Sequence, residues 1–149
     1  MPDFQIRSIT AGDYEQWAAL WRAYQAFYAV DIPEAVTRGT WDRMLDPKEP
    51  MHAALAVKDD RPIGLVHWIY HRSTWTTGDY CYLQDLFVDP GVRGTGAGRA
   101  LIEHVYEDAQ RHQAARVYWL THESNQTAMQ LYDRIADRSG FVQYRKMLT

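Results

Sequence analysis

The sequence contains one cysteine, Cys81, among its 149 residues. A lone thiol cannot form an internal disulfide, and it cannot build a cluster of thiolate metal ligands. We therefore expect a fold that is held together by its hydrophobic core, and we predict no metal site.

Long apolar runs are also missing. No stretch of apolar residues approaches the roughly 18 residues that a membrane-spanning helix requires. The first ten residues, MPDFQIRSIT, carry Asp3 and Arg7 where a signal peptide needs a continuous apolar segment. We therefore expect a cytoplasmic protein that does not bind a membrane.

A large excess of charge of one sign is absent as well. Sixteen lysines and arginines stand against nineteen aspartates and glutamates, which leaves a formal net charge of −3. A nucleic-acid-binding protein normally carries a strong basic excess, so this class is not expected. The hydrophobic fraction of 46%, with six tryptophans and ten tyrosines, indicates a folded chain with a sizeable core. The length suits a single domain over residues 1–149.

The pattern of apolar residues predicts a mixed α/β order. Apolar residues recur at helical spacing over 11–28, behind a capping box formed by Thr10 and Asp13. Two β-rich runs around the polar turn 59–62 predict a hairpin. The other predicted elements are a helix over 34–45, a strand over 80–88, a helix whose apolar face starts at Leu101, a strand over 116–121, a helix between Ser124 and Gly140, and a closing strand over 141–147.

The most informative segment is the glycine-rich turn Val88-Asp-Pro-Gly-Val-Arg-Gly-Thr-Gly-Ala-Gly-Arg99. It follows a predicted strand and opens a predicted helix, so free backbone N–H groups and the positive end of the helix dipole converge there. Glycines 94, 96 and 98 remove side chains that would keep a ligand away from this backbone. Such a turn suits phosphate or pyrophosphate, although the same glycines also suit an ordinary tight turn.

Two well-known phosphate motifs do not match this turn. A Walker loop ends in Gly-Lys-Ser/Thr, whereas the sequence here reads Gly98-Arg-Ala100. A dinucleotide fingerprint has the spacing G-x-G-x-x-G in the first βα unit of a domain. The turn does match the pattern R/Q-x-x-G-x-G/A through Arg93-Gly-Thr-Gly96-Ala-Gly98.

With this pattern the sequence resembles the GNAT superfamily of acetyl-CoA-dependent N-acetyltransferases. Three neighbouring motifs strengthen the resemblance: Leu86-Phe-Val-Asp-Pro90 before the turn, Asn125-x-x-Ala128-x-x-x-Tyr132 after it, and Gly140-Phe141 at the start of the expected last strand. The strand Leu83-Gln-Asp-Leu-Phe-Val88 is similar to that of the histone/polyamine and diamine acetyltransferase branches. The motifs cover residues 80–145.

The resemblance implies a fold and a cosubstrate site. The fold would be a mixed central sheet of about six to seven strands with about four helices, in which the parallel strands 80–88 and 116–121 splay apart. Acetyl-CoA would lie in the gap, with its pantetheine arm against the strand backbone and its pyrophosphate in the turn. The residues implied are Leu86, Phe87 and Val88 on the strand, Arg93, Gly94, Thr95, Gly96, Ala97, Gly98 and Arg99 in the turn, and Asn125 at the pantetheine amide.

The resemblance also implies catalytic roles. Tyr132 would protonate the departing CoA thiolate, although its place on an apolar stripe also suits a core residue, and Asn125 also suits a helix N-cap. The family often places a base glutamate on the strand where this chain has Gln84, and a carboxamide cannot accept the proton. Asp85 is the nearest replacement, but strand alternation points it to the opposite face unless a bulge intervenes. The proton of the amine could also leave through a water relay to Asp85, His71 or Tyr82.

The amine acceptor site would be built by the N-terminal half. We predict that Tyr28, Trp75, Gln84 and Asp85 contribute to it, because aromatic rings and carboxylates attract an alkyl ammonium group. Further candidates for its wall are Tyr24, Phe27, His67 and Trp68, and Asp31 and Glu34 are further candidates for its charge. For each aromatic residue taken alone, the sequence favours a place in the core over a place in the acceptor site.

These observations predict an enzyme, an N-acetyltransferase that moves an acetyl group from acetyl-CoA to a primary amine by direct attack in a ternary complex. A polyamine, another small amine or a protein lysine would be the acceptor. A CoA-binding sensor or partner-binding module without catalysis is the alternative, which Gln84 favours and Tyr132 opposes. A third hypothesis is a generic nucleotide-binding α/β protein that prefers ATP or NAD. An exposed strand at 141–147 would allow a homodimer.

Overall fold

The computed structural model describes residues 3–92 and 94–149. The contacts divide the chain into two units, Met1–Trp119 and Leu120–Thr149, and each is described by itself. The elements of the first unit are β1 (Gln5–Ser8), α1 (Tyr14–Phe27), α2 (Glu34–Leu45), β2 (Met51–Lys58), β3 (Arg61–His71), β4 (Tyr80–Val88), α3 (Ala97–Arg111) and β5 (Arg116–Tyr118). The second unit contains α4 (Gln126–Ile135).

Within the described residues, one mixed sheet carries five strands, in the order β1-β2-β3-β4-β5. Neighbouring strands from β1 to β4 are antiparallel, and β5 pairs with β4 in parallel. The predicted hairpin is confirmed, because β2 and β3 are joined by Asp59 and Asp60, which both have positive φ. Two central residues with positive φ are the geometry of a type I′ turn, which aspartate tolerates.

The main core lies between the sheet and the helices α1 and α2. The apolar stripe of α1 places Trp17 against Trp41 of α2, and Trp21, Leu55 and Leu65 lie in the same cluster. The ring centroids of Trp17 and Trp41 are 4.8 Å apart. This stripe has the helical spacing that the sequence predicts for α1.

The start of α1 is tied to β1. The Asp13 carboxylate accepts a hydrogen bond from the backbone N–H of Thr10 at 2.7 Å, as the predicted capping box requires. Two further hydrogen bonds come from the Arg7 guanidinium, at 2.8 and 2.9 Å. The guanidinium lowers the pKa of the Asp13 carboxyl to about 2. The carboxylate therefore joins the first strand to the first helix.

The other face of the sheet is covered by α3. Leu101, Ile102 and Val105 are fully buried on this helix. Further along it, Asp108 accepts hydrogen bonds from the Trp68 indole at 3.0 Å and from the Tyr70 hydroxyl at 2.6 Å. The side chain of Trp68 therefore lies on the α3 face of β3.

The second unit differs from the sequence expectation. The helix α4 ends at Ile135 and does not continue to Gly140, and residues 141–147 form no strand. The sheet of the described residues accordingly has five strands, and the expectation of six to seven is wrong here. Tyr144 is 93% exposed and Phe141 is 77% exposed. A strand needs a partner for its hydrogen bonds and a surface for its side chains, so residues that favour a strand do not produce one by themselves.

Within the described ranges, no helix combines the length and the apolar character that crossing a membrane demands.

Candidate active site

A β-bulge in β4 determines where Asp85 points. His67 pairs with Asp85 whereas the next residue of β3, Trp68, pairs with Leu83, so Gln84 is an extra residue on β4. An extra residue interrupts the strict alternation of side chains along a strand. As a result Asp85 faces helix α1, and Gln84 and Asp85 line the same cavity. The sequence left this point open, and the bulge resolves it.

The Asp85 carboxylate is the centre of a chain of hydrogen bonds. One oxygen accepts from the Tyr24 hydroxyl at 2.7 Å, and the other lies 3.0 Å from Nδ1 of His67. On the far side of the imidazole, the buried indole of Trp17 donates to Nε2 of His67 at 3.0 Å. The exposed fraction of the Asp85 side chain is only 12%. The carboxylate is thus nearly buried and has a donor on each oxygen.

The partners of His67 determine its protonation state. Trp17 can only donate a hydrogen bond through its indole nitrogen, so Nε2 of His67 must be the unprotonated nitrogen. The proton of the neutral ring is then on Nδ1, where it is donated to Asp85. In this arrangement His67 orients Asp85 and has no vacant nitrogen with which to accept a proton. Burial and the charge of Asp85 raise the pKa of Tyr24, which therefore remains a donor.

Beside this network lies a cavity of about 500 Å³ between helices α1 and α2 and strands β2, β3 and β4. Its volume falls in the range of small-molecule sites. Its lining residues include the aromatic Trp21 and Tyr24, the acidic Asp85 and the basic Arg43. The Trp21 indole nitrogen is buried and has no hydrogen-bond partner in the part of the chain that the structure describes.

The structure brings together only part of the predicted acceptor site. Gln84 and Asp85 line the cavity, whereas Tyr28 and Trp75 are not among its lining residues. Trp75 is 75% exposed in the segment between β3 and β4, and the Tyr28 ring packs on Tyr24 with centroids 4.8 Å apart. Of the further candidates, Tyr24 and His67 contribute to the lining, and Phe27, Asp31 and Glu34 do not. Trp68 is also a lining residue, but its indole donates to Asp108 on the α3 face of the sheet.

Sequence reasoning missed most of the lining residues, among them Trp21 and Arg43. Trp21 lies on the apolar stripe of α1, so its spacing identified it as a core residue. Arg43 lies in the last turn of α2, where an arginine is ordinary because it complements the helix dipole. No local signal distinguished either residue, because the cavity is formed by elements that are distant in sequence.

The ladder between the parallel strands is short, because β5 ends at Tyr118 and not at residue 121 as the sequence predicts. The ladder between β4 and β5 covers only the pairs Tyr80–Arg116, Cys81–Val117 and Tyr82–Tyr118. Strand β4 continues to Val88, so residues 83–88 have no β5 partner within the described residues. This part of β4 offers backbone N–H and C=O groups to an extended ligand.

The glycine-rich turn joins the end of β4 to the start of α3. Gly94 and Gly96 have φ values of +85° and +87°, and Gly96 is the N-cap of α3. A Cβ built at either position would meet no heavy atom of the described residues within 4 Å, so the glycines leave open space in front of the backbone. This space and the first-turn N–H groups of α3 fit a phosphate group.

The side chains of the turn have different surroundings. Ala97 is buried, and the Thr95 hydroxyl donates to the carbonyl oxygen of Val92 at 3.0 Å. The Arg99 guanidinium donates to Glu103 at 2.8 Å on the exposed side of α3. Arg93 lies outside the described residues, so its predicted phosphate contact is not located.

The second unit carries the other two candidates. Asn125 is the N-cap of α4 but makes no capping hydrogen bond with its side chain, whose amide lies 3.4 Å from the Thr121 hydroxyl. Tyr132 lies on α4, a helix without fully buried residues. Over residues 3–92 and 94–149, no group of three or more His, Cys, Asp or Glu side chains is arranged to hold a metal ion.

The chain is similar to known proteins in both sequence and fold. The family model for the acetyltransferase (GNAT) family matches residues 15–136, which is most of the chain. The chain belongs to the GNAT acetyltransferase family. The mixed α/β fold and the enzyme class, an N-acetyltransferase, are thereby confirmed as the sequence predicted.

Two curated relatives resemble this acetyltransferase over nearly its whole length. It is 34% identical over 143 residues to a D-amino-acid N-acetyltransferase of Saccharomyces cerevisiae, covering 95% of this chain and 89% of that protein. It is 26% identical over 135 residues to a thialysine Nε-acetyltransferase of Caenorhabditis elegans, covering 91% of this chain and 83% of that protein.

A solved structure shares the fold. An aminoglycoside N-acetyltransferase in complex with CoA superposes with a TM-score of 0.84 at 15% sequence identity. The alignment covers 98% of this chain and 95% of that one. At this identity the likeness concerns the fold alone.

Proposed function

We propose that this acetyltransferase moves the acetyl group of acetyl-CoA to a primary amine by direct attack in a ternary complex. The observation that carries the proposal is the position of Asp85. Its nearly buried carboxylate lies on the wall of a small-molecule cavity, on the strand that leads into the glycine-rich turn. An amine in the cavity would therefore meet a carboxylate on the strand that would hold the acetyl donor.

The cosubstrate site is proposed from the open part of β4 and the turn that follows. The backbone of Leu86, Phe87 and Val88 would pair with the pantetheine arm, and the backbone N–H near Val88 would donate to the thioester oxygen as negative charge develops on it. The turn over 93–98, with Arg99, would enclose the pyrophosphate. The open space at Gly94 and Gly96 supports this fit, and Asn125 would hold the pantetheine amide.

The chemistry assigned to the chain is the movement of two protons. An alkyl ammonium has a pKa near 10.4, so the amine must lose a proton before it attacks. Asp85 would hold the ammonium and accept its proton, directly or through one water molecule, and Gln84 would orient it. Tyr132 would donate a proton to the departing thiolate, whose pKa of about 8.5 makes a phenol a suitable partner.

The acceptor is proposed to be small. A polyamine, another small amine and a protein lysine all carry the required primary amine. The names of the two curated relatives, which act on D-amino acids and on thialysine, favour a free amino acid or a related small amine. We further propose that residues 1–149 act as one catalytic domain in the cytoplasm.

The second candidate function is CoA binding without catalysis, and Gln84 is the observation that favours it. To separate the two functions, we would measure release of free thiol from acetyl-CoA with a panel of polyamines, amino acids and lysine peptides. Amine-dependent release supports the transferase, whereas a thermal shift with CoA and no release with any amine supports the sensor. A larger thermal shift with ATP or NAD than with CoA would contradict both.

A further inference from the structure

The cavity beside Asp85 carries one negative and one positive side chain. Among the lining residues within the described ranges, Asp85 is the only carboxylate and Arg43 is the only lysine or arginine. The histidines of the lining add little charge, because His67 is neutral by its hydrogen bonds and burial lowers the pKa of His52. The side chains of the cavity are therefore balanced in charge.

Arg43 has donors available for a ligand. Its guanidinium makes one long hydrogen bond of 3.4 Å, to the hydroxyl of Thr40 one turn earlier on α2. No Asp or Glu of the described residues lies within ion-pair distance of it. A guanidinium presents five N–H donors in a planar fork, which matches the two oxygens of a carboxylate. Thr40 lines the same cavity and would add a hydroxyl donor.

A polycation fits this charge pattern poorly. An acceptor with two or more ammonium groups needs a second anion, but Asp31 and Glu34 are outside the lining. Glu34 instead accepts a hydrogen bond from the Tyr14 hydroxyl at 3.0 Å. Arg43 would also repel a second ammonium group, since both carry a positive charge. The pattern suits an acceptor that carries one ammonium and one carboxylate.

We propose that Arg43 binds the carboxylate of an amino acid acceptor whose amino group is held by Asp85. This specificity-determining role rests on the proposed acetyl transfer, since it names the acceptor of that reaction. Arg43 touches the part of the acceptor that does not react, so its effect falls on acceptor binding and on the choice between acceptors. Binding of the acetyl donor should not depend on Arg43.

The test compares alanine, methionine and phenylalanine, each in both enantiomers, with the corresponding primary amides. The amide lacks the carboxylate charge and is otherwise nearly the same size. Its amino group is less basic and hence more often unprotonated, which acts against the expected result. For at least one amino acid, the wild-type kcat/KM should exceed that of the amide by about tenfold or more, as expected for loss of a hydrogen bond between charged groups.

Arg43→Gln should remove this preference while leaving kcat/KM for the amide within about threefold of wild type. Arg38→Gln is the matched control, because Arg38 lies on the same helix with its guanidinium 4.1 Å from the Tyr14 ring centre, outside the cavity lining. This control should keep the preference. A wild-type enzyme that acetylates every amide as well as its acid, or a preference that survives in Arg43→Gln, overturns the proposal.

Two outcomes separate this proposal from the proposed function. Acetylation of polyamines or lysine peptides, but of none of the amino acids, overturns the role of Arg43 and leaves acetyl transfer intact. If no amine is acetylated, acetyl transfer itself fails. Calorimetric titration of the same amino acids into the CoA-saturated protein then decides: binding that is lost in Arg43→Gln supports the carboxylate site, and absence of binding to wild type overturns it.

Discussion

Replacement of Asp85 by asparagine tests the centre of the site. Asparagine keeps the shape of the side chain and removes its charge. Its oxygen can still accept from Nδ1 of His67, and its amide can donate to the Tyr24 oxygen once the tyrosine hydroxyl has turned away. Both contacts of Asp85 therefore persist as neutral hydrogen bonds, and the Tyr24 O–H turns toward the cavity that Tyr24 lines, where water can accept from it.

The cost in stability follows from these two bonds. A hydrogen bond to a charged group contributes roughly 1 kcal/mol more than a neutral one, so two bonds amount to about 2 kcal/mol of unfolding free energy. For a chain of this length, this corresponds to a fall in Tm of about 4–8 °C. The variant should therefore fold, and its thermal shift with acetyl-CoA should equal that of wild type.

The cost in activity should be much larger. Loss of the group that accepts the amine proton should lower kcat/KM for the amine about 10²-fold or more. Tyr24→Phe is the matched control, because it removes one hydrogen bond to Asp85 but leaves the carboxylate in place. This control should lose about 1.5–3 kcal/mol of stability, because the lost hydrogen bond is to a charged group, and keep most of its turnover.

The measurements are steady-state kinetics with a saturating donor, thermal unfolding, and the donor-induced thermal shift for all three proteins. A folded Asp85→Asn enzyme with kcat/KM within twofold of wild type would refute the reasoning. In that case Asp85 would only hold α1 to β4, and the amine proton would pass to water or His71.

Three other predictions concern other parts of the chain. Gly96→Val should abolish the thermal shift with acetyl-CoA, because the valine side chain would fill the open space at a position whose φ is +87°. Gly39→Val is the control, since a Cβ at Gly39 also meets no described atom within 4 Å, and this variant should retain the thermal shift. Tyr132→Phe should fold and bind acetyl-CoA normally but lose about 10²–10⁴-fold in kcat, and a loss under twofold contradicts its acid role. Arg7→Gln should lower the unfolding free energy by roughly 1–2 kcal/mol at pH 7 in urea titrations. Because Arg7 depresses the folded pKa of Asp13 to about 2, this difference should shrink as pH falls from about 4 to 2, and a constant difference would contradict the pairing.

Sequence alone determined the local elements and the family. The helical spacing of α1, the capping box at Thr10 and Asp13, and the turn between β2 and β3 depend on residues within a few positions of one another. The glycine-rich turn is equally local, since its chemistry comes from backbone that three glycines leave open. Such features can be predicted from sequence because their interactions form within one short segment.

Only the tertiary structure decided the register and the cavity. A bulge at Gln84 turns Asp85 toward α1. The alternation of apolar and polar residues along the sequence does not reveal where a strand contains an extra residue. The segment 141–147 contains residues that favour a strand, such as Phe141, Val142 and Tyr144, but it is not a strand in the described structure, because pairing depends on a partner elsewhere. Arg43 lines the same cavity as Asp85 only because α2 packs against β2. Contacts between distant segments depend on how the sheet and helices pack, and the local sequence around each residue does not carry that information.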